Sequence, residues 1–216
     1  MLFLYQTAEG YSLFYDKILI CEEKELLKRI KNFAEPAYVL GLIILALGVA
    51  LMEKAGLGIS MVVAPAYLIS LKVSFLTFGR AEYILQALLL VITCLVLRRF
   101  KLSYLFSFVT AVIYGLILDG WMWTLQGADA GTLSVGITLY LLGLFLCSLG
   151  ISLLFHTYLS PEVYELFVKE VSKKYQVNIN KFKIAYDCGS CVLAVAMSYL
   201  FFHSLRGVGV GTVFCA

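Results

Sequence analysis

The chain has 216 residues, of which 62% are hydrophobic and 14% are charged. A soluble domain of this size cannot bury so much apolar surface, and the same apolar excess excludes a disordered chain. The net charge of +3 lies in short basic clusters beside apolar segments, a distribution that suits lipid head groups better than nucleic acid. The expected class is an all-α integral membrane protein whose first partner is the lipid bilayer.

Residues 1–35 are the least apolar part of the chain. Between Ile18 and Phe33, apolar residues recur at helical spacing among charged ones, a pattern typical of an amphipathic helix at the membrane interface. A solvated helix against a cytoplasmic partner explains the pattern equally well. No secretory signal is recognisable in the first ten residues, so we expect the first membrane helix to direct insertion.

Long uncharged segments predict the membrane helices, since a span needs about 20 mostly apolar residues. Spans are predicted over Pro36–Met52, Ala81–Leu97, Leu102–Leu118, Val135–Phe155 and Cys188–Leu205, the last of these beginning from Phe182. Residues 207–216 are apolar and glycine-rich, and we expect them to open a further helix that is cut short. The sequence thus predicts a polytopic protein with about five to six transmembrane helices.

One apolar segment, Leu57–Leu71, is too short to be an ordinary span. Gly56 and Gly58 open it and Pro65 interrupts it, and proline disfavours helical geometry in the residue before it. The segment is therefore predicted to be broken or re-entrant. Its counterpart in the second half, Glu162–Tyr175, is too charged to span and is predicted to be an interface helix.

The chain contains an internal repeat. One constant offset lays Tyr38, Gly41, Gly48 and Leu57 on Tyr140, Gly143, Gly150 and Leu159. A slightly larger offset lays Phe78, Ala81 and Glu82 on Phe182, Ala185 and Tyr186. We therefore divide the chain into an interfacial region (1–35), a first membrane repeat (36–129) and a second membrane repeat (130–216).

Basic residues decide how the two repeats face, because basic loops stay in the cytoplasm. Lys28, Arg29 and Lys31 place the amino terminus inside. If Leu57–Leu71 re-enters, the turn Arg98–Lys101 is also inside, and the loop Asp119–Asp129, with Trp121 and Trp123 as interface anchors, is outside. Each repeat then makes an odd number of crossings, so the repeats have inverted topology, as in many secondary transporters.

Several stretches resemble the YczE/YitT group of bacterial integral membrane proteins, most of which are uncharacterised. The matching stretches are Gly48–Ser60, Lys181–Asp187 and Gly207–Thr212. The chain departs from the group at Met61–Pro65, where a polar or tryptophan-containing turn is usual, and this leaves the ligand preference open. The resemblance implies a bacterial inner-membrane protein and a transporter, and it brings no established substrate or catalytic residue.

Glu82 and Asp187 are the leading candidates for an ion or substrate site. Each is predicted near the start of a span, where a carboxylate usually faces a cavity, a partner or an ion path. Gln86 lies one turn after Glu82, and Ser190 lies one turn after Asp187. The alternative is that both acids are ordinary helix-start residues at the level of the head groups, favoured by the helix dipole.

The broken segment offers a second set of candidates. Gly56, Gly58 and Ser60 would expose backbone and hydroxyl groups to a ligand, because unwound backbone is tolerated at depth only where it is buried or lines a cavity. Tight packing through small residues explains them about as well. The same packing explanation is preferred for Gly41, Gly48, Gly143 and Gly150.

Other reactive residues do not form a recognisable site. Cys188 and Cys191 stand at helical spacing, but no second pair or histidine completes a metal ligand set. His156 and His203 are expected to be interface residues. The sequence shows no phosphate-binding loop, zinc-protease helix or nucleophile elbow, so we expect no enzymatic activity, no metal and no cofactor.

These observations favour a small-solute transporter, ion-coupled or passive, with its site at the interface of the repeats. Glu82 and Asp187 would bind a cation or proton. Two alternatives remain: a membrane-embedded binding subunit that needs an energising partner, and a regulatory membrane protein that transports nothing. A homo-oligomer is left open.

Overall fold

The structure is a computed structural model, and it describes residues 35–128, 130–155, 157, 162–204, 207–209 and 211–212. The seven helices within these ranges are α1 (Glu35–Ala55), α2 (Ala64–Lys72), α3 (Phe78–Leu97), α4 (Leu102–Thr124), α5 (Leu133–Phe155), α6 (Val163–Tyr175) and α7 (Ile179–Phe202). None of the described residues is in a strand. The predicted amphipathic helix Ile18–Phe33 lies outside these residues.

Five helices, α1, α3, α4, α5 and α7, are long and apolar enough to cross a membrane. Their polarity is the reverse of a soluble protein: on α3, Leu88, Val91 and Leu95 are exposed, whereas Glu82 and Gln86 are fully buried. An apolar outer surface is expected where helices face lipid, and polar side chains there are placed inside the bundle, where they find partners. The prediction of a polytopic helical membrane protein is confirmed.

Two helix boundaries differ from the prediction because polar side chains hold extra turns. The expected loop after Leu118 is helical to Thr124, and Asp119 accepts from Thr77 Oγ1 (2.5 Å) and Gly79 N (2.7 Å) at the start of α3. At the other boundary, Asn178 caps the start of α7 by accepting from Asn180 N (3.0 Å). That helix therefore begins earlier than Phe182.

The segment after α1 is broken, as predicted. Gly56 and Gly58 have φ of 68° and 112°, values that favour glycine, and α2 follows with Pro65 in its first turn. Nine helical residues reach only about 14 Å, less than half of the roughly 30 Å of hydrocarbon. This helix therefore cannot cross the membrane alone.

The charged helix α6 buries one face along its whole length. Val163, Leu166 and Val171 are buried, and the helix packs against α3, α7 and α4. Lys173 and Lys174, in its last turn, are exposed. The helix thus has the predicted apolar face, and its place at the membrane interface stays a prediction.

The first helices of the two repeats cross through their predicted glycines. A methyl group added to Gly48 would lie 2.7 Å from Gly143 O, and one added to Gly150 would lie 2.9 Å from Gly41 O. Only glycine allows the backbones to come so close. Because residue numbers rise along α1 as they fall along α5 at these contacts, the helices are antiparallel.

Each short helix ends against a long helix of the other repeat. Lys72, at the end of α2, donates to Phe201 O of α7 (3.5 Å), and Lys174, at the end of α6, donates to Val96 O of α3 (2.6 Å). Helix α3 begins beside α2, where the rings of Phe78 and Tyr67 are in edge-to-face contact, and it ends beside Lys174. The two short helices therefore leave the interior at opposite ends of the molecule.

Candidate functional site

A cavity of about 330 Å³, here called the central cavity, lies between the starts of α2 and α6. Ser60, Val62 and Val63 approach it before α2, and Glu162, Tyr164 and Glu165 approach it at the start of α6. Helices α1, α4, α5 and α7 complete the wall.

The lining of the central cavity follows the internal repeat. The offset that lays Tyr38 on Tyr140 also pairs residues that line the cavity from both repeats: Leu45 with Cys147, Val49 with Ile151, Met52 with Leu154, Ser60 with Glu162, Val62 with Tyr164 and Val63 with Glu165. The cavity thus lies where equivalent parts of the two repeats face each other.

Charged side chains of the cavity come from α7 and the start of α6. Glu165 forms an ion pair with Lys183, and Asp187 lies one turn after Lys183 on the same wall. Together with Glu162, the described lining carries three carboxyl groups and one ammonium group. Its electrostatic character therefore favours a cation or a proton over an anion.

Glu162 stands directly before α6, and its Oε1 atom is buried without a hydrogen-bond partner among the described residues. Burial, followed by the nearby Glu165 carboxylate, raises the pKa of Glu162 to about 7. The side chain is therefore close to its midpoint of ionisation at neutral pH, the range in which a carboxyl group exchanges protons readily.

Tyr164 connects the central cavity with a second cavity between α2, α3, α6 and α7, also of about 330 Å³. Its side chain is 6% exposed, and its hydroxyl is buried next to the Glu82 carboxyl group. Burial, followed by the nearby Glu82 carboxylate, raises its pKa well above the usual value. The group stays a neutral hydroxyl, able to donate or accept.

Glu82 and Gln86 form a buried pair that holds the start of α6. Gln86 Nε2 donates to Glu82 Oε1 (3.3 Å), and Val163 N donates to Gln86 Oε1 (3.2 Å). The glutamine thus satisfies one of the backbone donors that a helix start leaves free. Glu82 Oε2 is buried and has no such partner within the described ranges.

The predicted site residues do not form one cluster. Glu82 and Gln86 are in contact, as their spacing indicated. Ser60 and Asp187 line the central cavity, and Ser190 lines the second cavity. Glu82 lies beside Tyr164 and lines neither cavity, so of the two acids only Asp187 is on a cavity wall.

The alternative interpretation of Glu82 and Asp187 as helix-start acids does not fit their positions. Glu82 is fully buried and bonded to Gln86. Asp187 is more than two turns inside α7, which begins at Ile179. Neither carboxylate is placed to cap a helix.

The glycine turn is occupied by the chain itself. Ile59 N donates to Gly207 O (3.2 Å), and Gly211 N donates to Leu57 O (3.0 Å). A methyl group on Gly58 would lie 2.7 Å from Gly209 N. These contacts favour the packing alternative for Gly58, and Gly56 is exposed and does not line the central cavity.

Cys188 and Cys191 do not form a disulfide bond in the structure. Cys188 and Cys191 are both free, the first exposed and the second half-buried. Among the residues that the structure describes, no group of three or more histidine, cysteine and acidic side chains is arranged to hold a metal ion.

Comparison with curated proteins gives no match, and comparison with solved structures gives none either. The family model of DUF6198, a family of unknown function, matches residues 33–216. This agrees with the predicted relation to an uncharacterised family, but the match does not extend to the YczE/YitT name. Since the model covers most of the chain and five helices are suited to span a bilayer, this membrane protein belongs to DUF6198.

Proposed function

We propose that this protein is a small-solute transporter and that the solute passes through the central cavity, at the interface of two inverted repeats. The observation that carries the proposal is the paired lining of the cavity, in which Ser60 and Glu162 occupy equivalent positions of the two repeats. A site between inverted repeats is reachable from either side of the membrane by equivalent movements.

Two sets of contacts support the inverted arrangement. Gly41 contacts Gly150, and their equivalents in the other repeat, Gly143 and Gly48, contact each other in the same way. Exchanging the two repeats therefore gives the same helix crossing. Lys72 and Lys174 occupy equivalent positions and bind the last turns of α7 and α3 respectively. A twofold axis that relates two antiparallel repeats accounts for both the glycine contacts and the lysine contacts.

The short helices supply the elements that would move. Each starts at the central cavity and ends at one face of the molecule, so a small shift of either would widen one route to the cavity. Non-spanning helices of this kind are stable at membrane depth only where they are packed in protein or line a polar cavity. We infer that α2 gates one route and α6 the other.

The charge of the lining favours an ion-coupled mechanism with a cation or a proton. Glu162 and Asp187 would bind it, and Glu82 would act from beside Tyr164. No step in this mechanism makes or breaks a covalent bond of the solute, so the proposal is for a transporter without enzymatic activity. We further propose a bacterial inner-membrane location with the amino terminus in the cytoplasm, following the basic residues.

Uptake by proteoliposomes tests the proposal. Purified protein would be reconstituted and offered radiolabelled small ammonium ions, carboxylates, amino acids and sugars under an imposed proton gradient. We expect at least one class to accumulate above protein-free vesicles, and Asp187→Asn to reduce that uptake to background. Glu53→Gln is the matched control, because Glu53 is a half-buried acid that accepts from Tyr67 and is not part of the cavity lining.

Equal uptake by wild type and Asp187→Asn would contradict the proposal. Absence of uptake of every class would favour a regulatory membrane protein instead.

A further inference from the structure

The two repeats line the central cavity with side chains of different polarity. Where the first repeat has Ser60, Val62 and Val63, the second has Glu162, Tyr164 and Glu165 at equivalent positions. The backbone arrangement repeats, but among the described lining residues the acidic groups all come from the second repeat. A solute in this cavity therefore meets a polar side and an apolar side.

The apolar side is formed chiefly by the crossing helices α1 and α5. Leu45, Val49 and Met52 line it from α1, and Leu144, Ile151 and Leu154 line it from α5. A lining of this kind buries an apolar body and gives no partner to a second charged group. An inorganic ion would leave these side chains without a contact.

The polar side has a carboxyl oxygen that lacks a partner. Glu162 Oε1 is buried and makes no hydrogen bond within the described ranges, whereas the Tyr164 hydroxyl lies next to Glu82. An unpartnered buried polar atom is costly, and a donor on a solute would satisfy Glu162. A primary ammonium group carries three donors and one positive charge, which matches a buried acid.

Three tyrosines line the same cavity. Tyr114, Tyr164 and Tyr186 all line the central cavity, and the rings of Tyr164 and Tyr186 are 6.4 Å apart between centroids. The face of an aromatic ring attracts an organic cation. Because Lys183 already pairs with Glu165, the carboxyl groups of Glu162 and Asp187 remain to balance a cation.

We propose that the central cavity binds a monovalent organic ammonium ion with an apolar body. Its ammonium group would lie between Glu162, Tyr164 and Asp187, and its body would lie against α1 and α5. The cavity volume of about 330 Å³ falls at the lower end of small-molecule sites. This inference rests on the proposed function and names the substrate class for the same site.

Equilibrium binding to the purified full chain in detergent tests the inference. The probes are phenethylammonium, phenylpropionate and phenylethanol, which share a ring and a short chain but carry a positive, a negative and no charge. We expect phenethylammonium to bind at least about tenfold more tightly than either of the others, a ratio that corresponds to about 1.4 kcal/mol.

Variants locate the binding site. Glu162→Gln and Asp187→Asn are each expected to weaken phenethylammonium binding at least about tenfold, whereas Glu53→Gln leaves it unchanged. Glu162→Asp keeps the negative charge and should retain most of the affinity, which separates loss of charge from loss of fold. Size-exclusion profiles report the fold of each variant.

Equal binding of the three probes, or unchanged ammonium binding in both Glu162→Gln and Asp187→Asn, would overturn the inference. Uptake of another solute class without ammonium binding would also overturn it while leaving transport intact. Ammonium binding without any uptake would instead support the ligand class and contradict the proposed function.

Discussion

Lys101 Nζ lies 2.9 Å from Glu170 Oε2, and this ion pair joins the turn between α3 and α4 to the second half of α6. Tyr104 donates to the same oxygen (2.9 Å). Burial opposes ionisation of Glu170, but hydrogen bonds from Lys101 and Tyr104 outweigh it and lower its pKa. An exposed pair adds little stability, but its position matters: basic segments of both repeats share one face, as inverted topology requires.

Cross-linking tests this shared face. In a background without other cysteines, Lys101→Cys combined with Glu170→Cys should be joined by a short bis-maleimide, because the native side chains touch. Mass spectrometry of the digested protein detects the link. Lys101→Cys combined with Lys72→Cys is the control, since Lys72 binds Phe201 at the other end of the molecule. Linkage of the control pair alone would contradict the arrangement.

The glycine crossing predicts a stability effect. Gly48→Ala places a methyl group 2.7 Å from Gly143 O and Cys147 Sγ, so α1 and α5 must separate. We expect a loss of about 1–3 kcal/mol, typical of overpacking, seen as a lower unfolding temperature in detergent. Gly120→Ala is the control, because its added methyl group meets no atom within 4 Å. An equal effect of both substitutions would show that the crossing is not tight.

Glu82→Gln tests whether Glu82 is needed for proton-driven uptake or only for the fold. Gln86 Nε2 still finds an oxygen on the new amide, so the link from Gln86 to Val163 and α6 should survive. Because the amide replaces a buried carboxyl group of nearly the same shape, the unfolding temperature should be unchanged or higher. Proton-driven uptake should fall at least about tenfold, because an amide carries no exchangeable carboxyl proton. Wild-type uptake in a folded variant would remove Glu82 from the mechanism.

Glu162 predicts a pH dependence of stability. Its pKa is about 7 in the folded protein, against an ordinary value of 4.5, so the folded state binds the proton more tightly than the unfolded state. Stability should therefore fall as the pH rises between these two values and level off above the higher one. In Glu162→Gln this part of the slope, on the order of 1–3 kcal/mol, should disappear from thermal unfolding curves. An unchanged slope would show that Glu162 is not the group responsible.

The membrane helices were predictable because long apolar segments are local features of the sequence. Gly41 and Gly48 align with Gly143 and Gly150 in the sequence, and in the structure the same glycines lie at the crossing of α1 and α5. Boundaries were less predictable where distant side chains decide them. The extra turns of α4 depend on Asp119 and Trp121, whose partners are Thr77, Gly79 and Ile43 O.

The residues that line the central cavity were predictable only in part, because the charged composition of α6 conceals its buried first turn. Lysines and glutamates in its second half outweigh the few residues that enter the bundle, so Glu162, Tyr164 and Glu165 were missed. A signal was present in the repeat itself, since the offset that matches the glycines lays Ser60 on Glu162. Gly58, in contrast, looked like a ligand site, and only the contact with Gly209 and Thr212 shows its packing role.

Accessibility at Ser60 tests most directly whether the central cavity opens to both sides of the membrane. Ser60→Cys, in a background without other cysteines, would be exposed to a membrane-impermeant maleimide in right-side-out and in inverted vesicles. Ser107→Cys is the buried control. The account predicts that Ser60→Cys reacts in both vesicle orientations and that Ser107→Cys reacts in neither; reaction of Ser60→Cys from one side only, or from neither, would contradict it.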